Sequence, residues 1–243
     1  MTGTQKNAIA RFFDAAAAAL STGCRAARAV YDFKDDAAPA EAQAALEKIA
    51  AEVRACRACK LCEERRNAVP GEGVRRPLVL VVGEGPGADE DASGRPFVGP
   101  AGKLLDQMLS SIGLSRDKNC FIANIVKCRP PENREPEANE TSRCVGYLER
   151  QTDALRPLVI VSTGRTSTGT LLHMGGGIRR LRGSWKTYRG IPLLPTFHPS
   201  YLLRDPDQKR LAWEDMKSLC RRLAELDPAY RAQTAALRAG RNI

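Results

Sequence analysis

The sequence predicts an α/β fold, a three-layer α/β/α sandwich around a mainly parallel sheet. The prediction is based on two patterns that alternate along the chain. Short apolar runs typical of buried strands alternate with longer stretches in which apolar residues recur at helical spacing. The predicted strands are Leu78–Gly83, Cys120–Val126, Leu158–Gly164 and Ile191–Thr196. Helices are expected near residues 100–112, 136–155, 166–173 and 211–225. Strands that alternate with helices in this way form parallel sheets with helices on both faces.

The N-terminal part of the chain divides at about residue 40. Residues 41–55 place apolar side chains at helical spacing, which predicts an amphipathic helix. Residues 1–40 are rich in alanine and are expected to form an extension of unknown role. We therefore predict one domain over residues 41–243, a length that buries a single sizeable core.

The distribution of charge favours a polyanionic partner. The formal net charge is +10. Residues 1–50 contain six basic and six acidic side chains, so the whole surplus lies beyond them. A basic domain of this kind binds nucleic acid through its phosphates, although a basic surface without such a partner is the simpler alternative. The apolar stretches are too short to span a membrane, and we expect a cytoplasmic protein without a membrane partner.

The chain contains eight cysteines and only two histidines. In a reducing compartment, cysteines serve as metal ligands or as buried thiols. Cys56 and Cys59 form a C-x-x-C pair, and Cys128 and Cys144 can add two more thiolates. Four thiolates suit either a zinc ion or an iron–sulfur cluster, and the spacing alone does not choose between them. Cys62 offers a second C-x-x-C register with Cys59, and the cysteines interpreted as structural are Cys24, Cys120 and Cys220.

Three of the predicted strands run directly into distinctive tails. These tails are GEGPG after the first strand, KCRPP after the second and FHPSYLLR after the fourth. The first is not a P-loop, because it lacks the Gly-Lys-Ser/Thr ending. It is not a dinucleotide-binding fingerprint either, because Pro86 and the acidic run at residues 89–91 would oppose a pyrophosphate. In parallel sheets the ligand site lies beyond the carboxyl ends of the strands, so the three tails are expected to form one site.

These tails resemble the motifs of the family 4 uracil-DNA glycosylases, the iron–sulfur type of the uracil-DNA glycosylase superfamily. The matching segments are GEGPGADEDASGRPFVGPAGKLL at 83–105, NIVKCRPP at 124–131 and FHPSYLLR at 197–204. The likeness covers roughly residues 52–225 and includes the CxxCxL pattern and the VPGEG at 69–73. It implies a four-stranded parallel sheet and hydrolysis of the N-glycosidic bond of deoxyuridine in DNA, which releases uracil and leaves an abasic site.

The resemblance also implies a cofactor and a partner. The cofactor is a structural 4Fe-4S cluster on Cys56, Cys59, Cys128 and Cys144, with Cys62 outside the ligand set. The partner is uracil-containing DNA, single- or double-stranded, and the protein is expected to act as a monomer.

The resemblance assigns a role to each residue of the uracil pocket. Asn124 reads the N3–H and O4 groups of uracil, Phe97 stacks on the extruded base, and His198 donates to O2 as negative charge develops there. Glu84 and Gly85 place the first loop, and Glu90 lies where bulkier residues of relatives exclude the thymine methyl group. Well-known relatives hold the attacking water with an Asp at the position of Gly85. This leaves Glu84 or backbone carbonyls to position the water.

The resemblance places the DNA contacts mainly on the last loop. Its contact residues are Ser200 and Arg204 at phosphates and Leu202 as an apolar wedge in the base stack. Further phosphate contacts are expected from Lys127, Arg129, Arg134 and the stretch 179–182. The alternative is a non-catalytic or altered-specificity protein that carries the cluster and binds DNA or uracil. The complete set of pocket residues favours the enzyme.

Overall fold

The computed structural model describes residues 40–239, and within them six strands form one sheet. The strands are β1 Glu72–Gly73, β2 Val79–Gly83, β3 Cys120–Asn124, β4 Val159–Thr163, β5 Lys186–Tyr188 and β6 Ile191–Thr196. Their order across the sheet is β1-β3-β2-β4-β6-β5. The four inner strands are parallel, whereas β1 and β5 pair antiparallel at the two edges. The extension predicted over residues 1–40 lies, apart from its last residue, outside the described residues.

Helices cover both faces of the sheet. They are α1 Ala40–Ala55, α2 Leu61–Glu64, α3 Ala88–Ser93, α4 Pro100–Ser110, α5 Ala138–Leu155, α6 Arg165–Leu172, α7 Ile178–Leu181, α8 Pro199–Arg204, α9 Lys209–Leu226 and α10 Pro228–Ala239. Short 3₁₀ turns occupy Pro131–Asn133 and Pro206–Gln208. Among the helices described, none is both long and apolar enough to cross a membrane.

The core is split into two layers by the alternation of side chains along the strands. Val79 and Val81 of β2 point to the layer that contains α4, α9 and α10. Leu80 and Val82 of the same strand point to the opposite layer, which contains α5 and α6. Because successive strand residues face opposite sides of a sheet, this pattern requires apolar cover on both faces. The predicted three-layer α/β class is confirmed.

The predicted number of strands was too small. The four predicted strands are the four parallel ones, and Ile191–Thr196 has the predicted bounds. The edge strands β1 and β5 contain two and three residues, respectively. Strands of this length carry no apolar run, and their glycine, lysine and threonine residues resemble an ordinary loop. Their existence depends on pairing with β3 and β6, which local sequence does not reveal.

Leu202 belongs to this core and not to a DNA-contacting surface. Its side chain is fully buried within the layer that contains α4 and α9, because α8 packs against α4. A side chain in this position cannot wedge into a base stack, so the predicted DNA contact of Leu202 is wrong. The neighbouring Leu203 is half-buried at the edge of the same cluster.

The burial of Leu202 generates a stability prediction. Leu202→Ala should lower the free energy of unfolding by about 2–5 kcal/mol, because it removes buried methyl groups and leaves a cavity. The matched variant Leu203→Ala should cost less, since Leu203 is already partly exposed. Urea unfolding followed by circular dichroism measures both changes. Equal and small losses in the two variants would contradict the placement of Leu202 in the core.

Candidate active site

A cavity of about 750 Å³ opens at the carboxyl ends of the parallel strands. Its lining comes from the segments that follow β2, β3, β4 and β6. Of the residues predicted for the pocket and the last loop, those that line it are Glu84, Gly85, Glu90, Phe97, Asn124, His198, Ser200 and Arg204. The convergence of tails from separate strands is therefore confirmed, and only Leu202 lies elsewhere.

Asn124 forms the floor of this cavity. It is the last residue of β3, is 1% exposed, and pairs in parallel register with Gly83 of β2. A Cβ atom on Gly83 would lie 2.3 Å from Asn124 Oδ1 and 2.6 Å from the Phe97 ring, so only glycine fits there. Among the described residues Asn124 Oδ1 has no hydrogen-bond partner although it is buried. An unpaired buried acceptor is costly, which indicates a site for a donor from a ligand.

Phe97 forms one wall of the cavity in a strained backbone conformation. Its φ is +52°, a left-handed value that bulky residues rarely adopt, and its side chain is buried. The ring centroid lies 5.6 Å from that of His198, with an interplanar angle of 33°. A Cβ atom on Gly102 of α4 would lie 1.9 Å from the Phe97 carbonyl oxygen, so α4 approaches this loop as closely as glycine allows.

Arg116 holds the Phe97 loop, and sequence reasoning did not identify it. Its Nη1 donates to the Pro96 carbonyl at 2.9 Å and its Nη2 to the Phe97 carbonyl at 2.8 Å. Asp106 fixes the guanidinium through contacts of 2.9 and 3.1 Å, and the side chain of Arg116 is buried. Arg116 follows Phe97 by nineteen residues and belongs to no motif, so no local signal marks it.

His198 is the N-cap of α8 and faces Phe97 across the cavity. Its Nδ1 accepts from the Ser200 backbone N–H at 3.2 Å and lies 2.7 Å from Ser200 Oγ. A nitrogen that accepts from an N–H carries no proton, so the proton of the neutral ring is on Nε2. Burial and, to a smaller extent, the charge of Arg204 lower the pKa of His198 to about 4, and the charge of Glu90 acts in the opposite direction.

Ser200 is occupied by this interaction with His198. Its backbone N–H and its hydroxyl both face the imidazole Nδ1. In this conformation Ser200 sets the tautomer of His198. Its predicted phosphate contact stays a prediction.

Glu84 and Gly85 line the cavity directly after β2. Burial raises the pKa of Glu84 and the nearby Glu135 raises it further, while Thr166 and Arg165 act in the opposite direction. A Cβ atom on Gly85 would lie 2.8 Å from Val126 Cγ2. The position of Gly85 therefore has no room for a side chain unless Val126 moves.

Glu90 fastens the loop between β2 and α4. Its carboxylate accepts from the backbone N–H groups of Gly87, Val98 and Gly99 at 3.0, 2.8 and 2.9 Å. These bonds join the start of α3 to the residues just beyond Phe97. The predicted contact of Glu90 with the thymine methyl position stays a prediction, and its observed contacts are those of a loop fastener.

A second, small cavity is lined by five cysteines: Cys56, Cys59, Cys62, Cys128 and Cys144. They come from the end of α1, from α2 and the residues before it, from the loop after β3, and from α5. Within residues 40–239, no three His, Cys, Asp or Glu side chains are arranged to hold a single metal ion. The thiols surround a cavity instead of converging on one point.

Hydrogen-bond donors face two of these sulfurs. Arg65 Nη1 donates to Cys128 Sγ at 2.9 Å, and the Lys127 backbone N–H donates to Cys144 Sγ at 3.3 Å. Burial raises the pKa of Cys128, which Arg65 partly offsets, and raises the pKa of Cys144 to about 11. Without a metal these thiols therefore hold their protons. Hydrogen-bond donors placed in this way stabilise an ionised sulfur.

Lys127 joins the two cavities and does not contact solvent. It is 1% exposed, and its Nζ donates to the Asn124 carbonyl at 2.9 Å and to Gln151 Oε1 at 2.8 Å. Burial lowers the pKa of Lys127 to about 8. Its predicted phosphate contact is wrong, because the side chain is buried against Asn124 and Gln151.

The other basic residues predicted to contact phosphates differ in their burial and in their pairing with other side chains. Arg182 is largely buried and pairs with the buried Asp215, with Nε 3.0 Å from Oδ2, so its predicted contact is also wrong. Arg134 pairs with Glu140, and Arg129 Nε donates to Asn133 at 2.8 Å, yet both remain half-buried near the surface. Both Arg179 and Arg180 are exposed, and Arg179 lines the cavity.

The sequence model of the family "Uracil DNA glycosylase superfamily" matches residues 70–217. The chain therefore belongs to this superfamily. Its relatives include proteins named type-4 uracil-DNA glycosylase. The one from Sulfurisphaera tokodaii is 47% identical and covers 72% of this chain and 83% of its own length. The one from Thermotoga maritima is 40% identical over 71% of this chain and 91% of its own length. The family 4 resemblance inferred from the motifs is confirmed.

The environment of His198 generates a prediction about its protonation. We expect its ring to stay neutral, with the proton on Nε2, from pH 7 down to about pH 5, because its pKa is about 4. Between this value and the unperturbed 6.5 the unfolded chain binds more protons, so the contribution of His198 to stability is complete above pH 6.5 and falls below it.

Long-range ¹H–¹⁵N NMR of the imidazole measures the tautomer and the titration of His198. The exposed His173 is the other histidine in the sequence, and a His173→Asn variant leaves one imidazole to assign. Titration of His198 near pH 6.5, or a proton on Nδ1 at pH 7, would contradict the assignment.

Proposed function

We propose that the chain is a uracil-DNA glycosylase, which hydrolyses the N-glycosidic bond of deoxyuridine in DNA, releases uracil and leaves an abasic site. The observation that carries the proposal is the buried, unpaired Oδ1 of Asn124 at the floor of a cavity walled by Phe97 and His198. The names of the type-4 relatives support the same activity.

Asn124 accounts for recognition of uracil. Its Oδ1 accepts a hydrogen bond from uracil N3–H, and its amide nitrogen donates to O4. Cytosine presents an acceptor at N3 and an amino group at C4, so both bonds would become repulsive. The amide is held in place because Gly83 leaves space for it and Lys127 fixes the backbone of Asn124. Phe97 offers the ring on which an extruded base stacks.

His198 accounts for stabilisation of the leaving group. As the glycosidic bond breaks, uracil takes the electron pair and negative charge grows on O2. A neutral imidazole with a proton on Nε2 donates a hydrogen bond to that oxygen, and a site that excludes water strengthens the interaction. Arg204 lies close enough to lower the pKa of His198, so its positive charge also favours the anion.

Glu84 is the side chain that we propose to position the attacking water. Gly85 provides no carboxylate, and a Cβ atom there would lie 2.8 Å from Val126 Cγ2. Glu84 lies one residue earlier in the same loop and lines the same cavity. Its raised pKa reflects burial, and as a carboxylate it accepts a hydrogen bond from water and orients it toward C1′ of the sugar.

We propose that Cys56, Cys59, Cys128 and Cys144 hold a 4Fe-4S cluster, with Cys62 outside the ligand set. The four thiols line one cavity, and the donors from Arg65 and Lys127 to two of them suit cluster sulfur ligands. The cluster would supply four iron–thiolate bonds that join α1, the loop after β3 and α5. No step of the base excision passes through it, and its role is to hold these segments together.

We also propose that the protein acts as a cytoplasmic monomer on single- or double-stranded DNA, without a membrane partner. All residues assigned to recognition and catalysis come from one chain, so the site is complete without a second copy. Residues 41–243 would form the glycosylase domain, and residues 1–40 an extension to it.

The test of the activity combines substrates with pocket variants. Purified protein should release uracil from oligonucleotides, and the panel should include hypoxanthine, xanthine and thymine. Asn124→Ala and His198→Ala should each lower the single-turnover rate by about 10²–10³-fold. The first removes the groups that read uracil, and the second removes a donor to developing negative charge. His173→Ala is the matched control and should keep the normal rate, because His173 is exposed and lies outside the cavity lining.

Two results would contradict this assignment. Near-normal rates in both pocket variants would mean that the site is wrongly placed. Uracil binding without excision by the wild-type protein would favour the non-catalytic alternative.

The cluster is tested by two cysteine variants. Purified wild-type protein should be brown and contain about four iron atoms and four sulfides per chain. Cys59→Ser should lose most of this content, whereas Cys62→Ser should retain it, because only Cys59 is assigned as a ligand. Metal and sulfide analysis with visible absorption measures both. Colourless protein with stoichiometric zinc, or the reverse order of the two variants, would overturn the ligand assignment.

A further inference from the structure

A second large cavity, of about 620 Å³, lies between the end of α1, the residues that directly follow α2 and the end of α3. We call it the arginine groove. Its basic lining residues are Arg54, Arg57, Arg65, Arg66 and Arg95, and the others are Cys62, Asn67, Ala68, Ser93 and Gly94. None of these lining residues is acidic. The groove is therefore a concave surface of one charge sign.

Several of these arginines have no anionic partner in the described part of the chain. Arg95 pairs with Glu72 at 2.6 Å. By contrast, the exposed side chains of Arg54, Arg57 and Arg66 make no ion pair within residues 40–239. Like charges held close together repel each other, and a bound polyanion removes that repulsion.

The nearest buried carboxylate does not neutralise the groove. Asp91 of α3 is 4% exposed, and its Oδ1 accepts from the backbone N–H groups of Arg66 and Asn67 at 2.9 and 3.3 Å. It therefore fixes the backbone of the groove and leaves the guanidinium of Arg66 free to meet a ligand.

Helix α3 connects the groove to the active-site cavity. Glu90 in the first turn of α3 lines the active-site cavity, whereas Ser93 at its end lines the groove. The helix contains six residues and at 1.5 Å per residue is about 9 Å long. At a rise of about 3.4 Å per nucleotide of a stacked strand, a helix of this length corresponds to about three nucleotides, and we take this as the scale of the separation between the pocket and the groove.

We propose that the arginine groove binds phosphates of the DNA strand that flanks the extruded nucleotide. The proposal rests on the proposed glycosylase activity and adds a second contact region to it. Guanidinium groups match phosphate with two parallel hydrogen bonds and serve in backbone contacts that carry no sequence information. The groove holds DNA in place while the pocket reads the base.

The groove is also tied to the cysteine cavity. Arg65 lines both, and it donates to Cys128 Sγ at 2.9 Å and to the carbonyls of Arg54 and Cys56 at 2.9 and 2.8 Å. The carbonyl bonds fix the chain that carries Arg54. Arg65 therefore links the backbone of the groove to the cysteine cavity.

The experiment compares two double variants with the same reduction in charge. Arg54→Ala/Arg66→Ala removes two unpaired guanidinium groups of the groove. Arg75→Ala/Arg76→Ala is the matched control, because both arginines are exposed and precede β2, at the amino edge of the sheet and so opposite the active site. Fluorescence anisotropy with a 20-base-pair duplex that contains no uracil measures DNA affinity at several salt concentrations. Single-turnover excision of uracil is measured in parallel.

We expect the groove variant to bind the duplex at least tenfold more weakly than the control at low salt. The slope of log K against log salt should fall in magnitude by about 0.9 for each phosphate that the variant no longer neutralises. The maximal rate at saturating DNA and the binding of free uracil should not change. On an oligonucleotide with one nucleotide on each side of the uracil, the two double variants should behave alike, because such a substrate cannot reach the groove.

Equal affinity and equal salt slopes in the two double variants would overturn the groove proposal, even if the wild-type protein excises uracil normally. A failure of the glycosylase proposal has a different signature, since wild-type protein would then leave uracil in every substrate. Iron content and unfolding midpoint of the groove variant must match those of the control, which separates weaker phosphate binding from a disturbed cysteine site. A length-independent loss of excision would also contradict the proposal.

Discussion

The candidate site depends on one buried ammonium group, that of Lys127. Its Nζ holds the carbonyl of Asn124 and the side chain of Gln151, and its own backbone N–H faces Cys144. Gln151 in turn donates to the Pro70 carbonyl at 2.8 Å, so the chain before β1 joins the same network. Burying a charge is expensive unless its bonds are complete. Lys127 thus borders the cysteine cavity and at the same time holds the backbone of Asn124.

The opposite wall of the pocket contains a strained backbone, which the surrounding residues hold in place. Phe97 has a left-handed φ of +52° and persists there because its surroundings leave no alternative. Arg116 holds its carbonyl from one side, Glu90 holds the two residues that follow it, and Gly102 allows α4 to pack against it. A ring fixed in this way loses little freedom when a base stacks on it. Pre-organisation of this kind lowers the entropic cost of binding an extruded nucleotide.

Sequence reasoning succeeded where the signal is local and failed where it depends on packing. Apolar runs located the four parallel strands, and the tails behind them located the pocket. Lys127 was misinterpreted because lysine is almost never fully buried, and only its two oxygen partners explain the exception. Leu202 and Leu203 are the same type of residue, and the direction in which α8 packs on α4 decides which one is buried. The long-range bond from Arg116 to Phe97 leaves no pattern in the sequence. The choice of cluster over zinc came from family resemblance, since spacing permits both.

The location of the cysteine site explains why such a protein would use metal–thiolate bonds at all. The segments that meet there are the end of α1, the loop after β3 and the first turns of α5. In the proposed groove, the chain next to them also presents arginines to DNA. The apolar cluster that packs α1 against α5 is small, with Ile49, Val53 and Ala68 buried against Tyr147, and hydrophobic stabilisation scales with the apolar area removed from water. Cross-links between distant segments stabilise a fold mainly by restricting the unfolded chain, and they require little buried area. Thiolates from Cys56 and Cys128 would join residues more than seventy positions apart. They would keep Arg65, the groove and Asn124 in one rigid arrangement, so that phosphate contacts and base recognition act on the same strand of DNA.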